Sequence, residues 1–131
     1  MTRFVVDCGA VLQLAREEIE VAPEHELLAP TLLRSQTLSA LHEAVHRGEL
    51  PADEAQELLA RIQGIRIRLL GDAVLRQRAW VIADRLGWAS TYDAEYVALV
   101  QLQGDALVTT DAELERAVAG IVATVPVASL R

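Results

Sequence analysis

Apolar residues follow two rhythms along this chain: short β-branched runs, and longer stretches where apolar positions return every three or four residues. The first run, "RFVVD", ends in a turn at Cys8-Gly9 and reads as a buried strand. "GAVLQLAREE" follows as a helix. Beyond a polar stretch containing Pro23, Leu27 to Ala29 reads as a short strand. Pro30-Thr31 then opens a long helix to about Arg47, which Gly48 stops. "LPADEAQELLARI" is the next helix, with Asp53 and Glu54 in the first turn, where the helix dipole favours acids. After Gly64, "IRIRLL" alternates as a strand, and a helix runs from Gly71-Asp72 to near Gly87. A further helix spans Ser90 to about Gln103. "ALVTT" is a strand, Asp111 to about Val118 a helix, and "TVPVA" a last edge strand where Pro126 is tolerable. Strands separated by helices predict an α/β architecture, a parallel sheet covered on both faces.

Length and composition fit one domain. The 131 residues are 52% hydrophobic and 24% charged, enough for a single core without disulfides or structural metal. No apolar run approaches the roughly 18 residues of a membrane span, and the start "MTRFVVDCG" lacks a secretory signal's apolar core, so a cytoplasmic place is expected. Cys8 has no partner cysteine and reads as a small apolar space-filler.

Charge narrows the partners. A net charge of −7 argues against non-specific duplex binding through a broad basic face. All 12 basic residues are arginine, and Arg61, Arg66, Arg68, Arg76, Arg78 and Arg85 concentrate in the middle of the chain, as a solvated face or a phosphate-contacting one. Trp80 and Trp88 read as helix-packing core, with base stacking as the alternative.

In open parallel sheets, ligands bind beyond the carboxyl ends of the strands. Acids collect there: Asp7 closes the first strand, Asp111 follows "LVTT", and Asp93 begins the helix holding "TYDAEYVAL". Singly, each reads as a helix cap or first-turn dipole partner. Three aspartates converging on one cleft repel unless a hard cation lies between them, and oxygen-only ligands select Mg²⁺ or Mn²⁺.

A competing motif is "HEAVH", in which His42, Glu43 and His46 match the H-E-x-x-H of zinc peptidases. A zinc site needs a third protein ligand, and His25, the only other histidine, precedes the helix in a segment with no matching pattern. The simpler reading gives that helix a buried stripe of Leu38, Leu41 and Val45, with both histidines flanking it on a solvated or dimer-facing surface.

"FVVDCGAV", "LLAPTLLRSQTLSAL", "STYDAEYVALVQLQGDALVTTDAEL" and the final "VP", in this order and spacing, resemble the PIN-domain family. More narrowly, they resemble the VapC ribonuclease toxins of bacterial type II toxin-antitoxin pairs. The resemblance covers about Arg3 to Val127, and the "YDAEYVAL...LVTTD" block is its most specific part. It implies a PIN-like three-layer fold with a five-stranded parallel sheet, a homodimer, and Mg²⁺-dependent (or Mn²⁺-dependent) endonucleolytic cleavage of structured RNA. It also implies a VapB-type antitoxin partner. Asp7, Asp93 and Asp111 match three of the family's acidic metal-binding positions, and Thr109 matches the hydroxyl of its T-x-D element. The pattern departs at two places: Gln36 stands where a glutamate is usual, and Gly9 where serine or threonine is common. Gln36 keeps a carbonyl to offer a cation or orient a water, but one formal charge is missing. Glu43 is no substitute, being about 10 Å further along the helix. Two readings follow from the resemblance, a nuclease of reduced metal affinity and a PIN protein that acts mainly by binding RNA or its antitoxin.

Overall fold

The apolar runs become five strands: β1 (Thr2–Val6), β2 (His25–Pro30), β3 (Arg68–Leu70), β4 (Ala106–Val108) and β5 (Thr124–Val125). In a computed structural model covering residues 1–131 they form one sheet in the order β3-β2-β1-β4-β5, every neighbouring pair parallel. Six helices flank the sheet: α1 (Cys8–Arg16), α2 (Leu32–His46), α3 (Ala52–Gly64), α4 (Ala73–Leu86), α5 (Tyr92–Gln103) and α6 (Ala112–Ala117). This is the three-layer α/β arrangement expected from the sequence. None of the helices is long and apolar enough to cross a membrane.

The strand order places the functional region. From the central β1, successive strands are added on one side through β2 and β3, and on the other through β4 and β5. The order therefore reverses between β1 and β4, which pair Phe4 with Ala106 and Val6 with Val108. Such a switch point leaves a crevice at the carboxyl ends of the two strands. Asp7 leaves β1 at that crevice, and its N–H donates to Val108 O at 3.2 Å.

Packing explains which elements lie deepest. Val5, Val6 and the whole of β4 are buried, as are Ala94 and the continuous run Tyr96–Val100 of α5. A helix apolar on nearly every side must sit inside the fold, and α5 is wedged between the sheet and α4. Each fully buried Val or Leu contributes roughly 1.5–3 kcal/mol. The buried faces of α5 and β1 thus fix the loops that carry the acids.

Four expectations need correction. "IRIRLL" pairs only from Arg68, because β2 offers β3 partners only at Leu28–Pro30, and Ile65 and Ile67 instead pack partly against the core. "TVPVA" stops as a strand at Val125. Pro126 has no N–H for the ladder, and the chain turns into a 3₁₀ helix, Val127–Leu130, which buries Val127 and Leu130. The buried stripe of α2 is Leu33, Thr37 and Leu41; Leu38 is 55% exposed. Trp80 is 71% exposed on α4 and is not core, whereas Trp88 packs partly against it.

Candidate active site

Three elements deliver the acids. Asp7 is the N-cap of α1, and its Oδ1 accepts from Ala10 N–H at 2.9 Å. Asp111 is the N-cap of α6, accepting from Glu113 N–H at 2.9 Å and Leu114 N–H at 3.2 Å. Asp93 stands in the first turn of α5. The capping roles are therefore real, and they hold the aspartates at the switch-point crevice. All three line one cleft of about 310 Å³, with Gln36, Tyr96 and Cys8 completing its wall.

Thr109 lies beneath this cleft, buried at the end of β4. Its Oγ1 accepts from Asp111 N–H at 3.1 Å, and its hydroxyl lies near enough to the Asp7 carboxyl to lower that group's proton affinity. One side chain thus ties two of the acids together. The expected T-x-D hydroxyl acts by positioning.

Proximity shows in the electrostatics. Burial raises the Asp7 carboxyl above its ordinary value, the bonds from Thr109 and Ala10 pull it partly back, and Asp93 and Asp111 push it up again. Asp93 is raised by partial burial and then by Asp111. Burial and the neighbouring Asp7 lift the Cys8 thiol to about 11, so it remains protonated and unreactive at neutral pH.

Gln36 reaches the cleft from α2, where the Tyr96 hydroxyl donates to its Oε1. The carbonyl expected to serve a cation is committed to a tyrosine, and the amide NH₂ remains as the free donor. Burial holds the Tyr96 phenol far above the usual tyrosine range, so it donates at all ordinary pH values. Tyr96 is the site residue that sequence reasoning missed. Its spacing of three residues from Asp93 puts both on one face of α5, which is the signal that was available.

Gly9 makes room rather than chemistry. A Cβ there would lie 2.5 Å from Thr110 Oγ1, so a hydroxyl from residue 110 fills the place beside the cleft that a side chain at residue 9 would take. Of the six central arginines, Arg61 pairs with Glu18 and Glu57, Arg68 pairs with Glu26, and Arg78 donates to Gln101. His42 and His46 are exposed, and Glu43 is occupied by Ser39 and Arg47. His25 packs edge-on to Phe4 at the start of β2, so no zinc triad forms.

The carboxylate and hydroxyl oxygens around the cleft are donors that suit a hard divalent cation. The structure holds no group of three His, Cys, Asp or Glu side chains already arranged around one ion.

No protein-family model matches the chain, and no curated protein does. Among solved structures, the crystal structure of PAE2754 from Pyrobaculum aerophilum matches with a TM-score of 0.72 at 23% identity, over 98% of this chain and 93% of that one. The likeness is one of fold.

Proposed function

We propose that the protein is a metal-dependent endoribonuclease of the VapC toxin type, cleaving structured RNA. The observation that carries the reading is the convergence of Asp7, Asp93 and Asp111 on one switch-point cleft, where burial raises the carboxyls of Asp7 and Asp93 and the neighbouring acids raise them further. Like-charged carboxylates are expensive to hold together, and function is the usual reason. The sequence resemblance supplies the substrate class.

Asp7 and Asp93, with Asp111 directly or through water, would hold Mg²⁺ or Mn²⁺. The bound ion supplies Lewis-acid polarisation of a phosphate and a more acidic water. The rest falls to this chain's own residues. Thr109 keeps Asp7 and Asp111 in register, Tyr96 fixes the Gln36 amide, and the Gln36 NH₂ is free to donate to a phosphate oxygen.

The same observations favour one alternative. With Gln36 neutral and no closed ligand group, the domain acts mainly by binding RNA or an antitoxin. Partner binding has support on either reading: an apolar recess of about 430 Å³ between α2 and α3, including Leu38, Leu59 and Ile62, suits a VapB-type partner. Exposed Val74, Val81 and Trp80 on α4 are available to a homodimer. An RNA substrate implies activity in the cytoplasm. The deciding experiment incubates purified protein with structured RNA and Mg²⁺ or Mn²⁺, comparing wild type with Gln36→Glu. Scission by wild type supports the nuclease; scission by Gln36→Glu alone supports the binding reading.

A further inference from the structure

The acid cleft continues into a second recess of about 470 Å³, sharing Gln36 and Asp93 with it and walled by Trp88, Ser90 and Tyr92. Its character differs from that of the cleft. Asp93 is its one acid, and two aromatic rings stand where the cleft has carboxylates. We infer that this recess is a nucleobase subsite, in which Trp88 and Tyr92 stack the base of a nucleotide next to the phosphate held at the acid cleft. The choice of a nucleobase as ligand rests on the ribonuclease reading.

Local structure prepares both walls. Gly87 ends α4 with φ of 70°, a left-handed conformation that reverses the chain and lets Trp88 N–H reach back to Ala83 O at 2.8 Å. The Trp88 indole is half-buried against the core, so its ring loses little freedom when a base arrives. Ser90 Oγ accepts from Tyr92 N–H at 3.2 Å and fixes the start of α5, while the Tyr92 side chain is 57% exposed. One wall is packed against the core and the other is exposed. Because Asp93 lines both recesses and Tyr92 lines the second beside it, a base on Tyr92 would neighbour a phosphate held at Asp93. A neutral base also avoids the repulsion that a second phosphate would meet beside Asp7, Asp93 and Asp111. Base–aromatic stacking tolerates any sequence because every base has a π-face. The subsite therefore selects for an unpaired nucleotide, as in an RNA loop, more than for one base.

Trp80→Phe leaves Trp88 as the single tryptophan, since the chain has two. Its fluorescence can be titrated with the trinucleotide ApApA and with the same trinucleotide bearing an abasic central ribose. The expected result is quenching by ApApA, about tenfold weaker binding of the abasic form, and about tenfold weaker ApApA binding after Tyr92→Ala. Tyr92→Ala should leave the affinity for the abasic form unchanged. Equal affinity for the two ligands, equal weakening of both by Tyr92→Ala, or no quenching by either overturns the subsite. The titration needs no strand scission. A protein that discriminates but never cleaves keeps the subsite and loses the ribonuclease reading; one that cleaves without discriminating does the reverse.

Discussion

The Tyr96 hydroxyl donates to Gln36 Oε1 at 2.5 Å, joining α5 to α2 across 60 positions of sequence. The bond decides what Gln36 can do. Its carbonyl faces a permanent donor, so residue 36 meets the cleft as a hydrogen-bond donor and not as a cation ligand.

Tyr96→Phe removes that donor while keeping the ring's packing. It leaves a partly buried carbonyl oxygen unpaired, which costs about 1 kcal/mol. Urea denaturation should show the midpoint falling with an unchanged slope.

Gln36→Glu restores a fourth acid. A carboxylate there accepts from Tyr96 with one oxygen and offers the other to the cleft. An added charge a few ångströms from a divalent ion, partly offset by desolvation, should tighten Mg²⁺ binding at least about tenfold. Isothermal titration of both proteins with Mg²⁺ measures it; equal affinities would show that residue 36 does not face the ion.

Asp7→Asn tests, through stability, the cost of burying the Asp7 carboxylate beside the other acids. The folded-state pKa of Asp7 is raised above its ordinary 3.8, so the folded chain binds this proton more tightly than the unfolded chain. Stability is therefore lost as pH rises from 3.8 through the raised value. Asparagine caps α1 as well as aspartate does and carries no charge. Without divalent cations the variant should melt higher than wild type at pH 7, and the difference should vanish as pH falls below 3.8. Thermal melts across pH in EDTA check both halves.

Cys8, with its thiol raised to about 11, should alkylate slowly. At pH 8 the small thiolate fraction, partly compensated by higher intrinsic nucleophilicity, predicts iodoacetamide labelling about tenfold slower than for an unfolded control. Labelling at the control's rate would mean that Cys8 is not shielded beside Asp7.

Most of the architecture was legible because strands and helices differ in period. The three aspartates were legible because an acid that closes a parallel strand, or opens the helix beside it, stands at the edge where such sheets bind ligands. The failures have specific causes. On α2, Thr37 occupies the buried stripe by returning its hydroxyl to Leu33 O at 2.9 Å, so a polar letter hid a core position and Leu38 took its place in the reading. Trp80 is apolar and large, yet α4 buries Leu75, Ala79, Ile82 and Ala83 and turns the indole outward. The bond from Tyr96 to Gln36 was not legible because its partners lie 60 residues apart, and the spacing from Asp93 shows only which face of α5 Tyr96 shares. Arg61 and Arg68 are drawn to Glu18 and Glu26, carboxylates that no local pattern pairs with them.

Cleavage of structured RNA in Mg²⁺ by wild type and by Asp7→Asn tests the central claim most directly. Asparagine keeps the α1 cap and the fold but removes the most buried of the three carboxylates. The account predicts Mg²⁺-dependent scission by wild type that EDTA abolishes, and a rate at least about a hundredfold lower in the variant, a loss of about 2.7 kcal/mol of transition-state stabilisation. Asp7→Asn cutting as fast as wild type would contradict it.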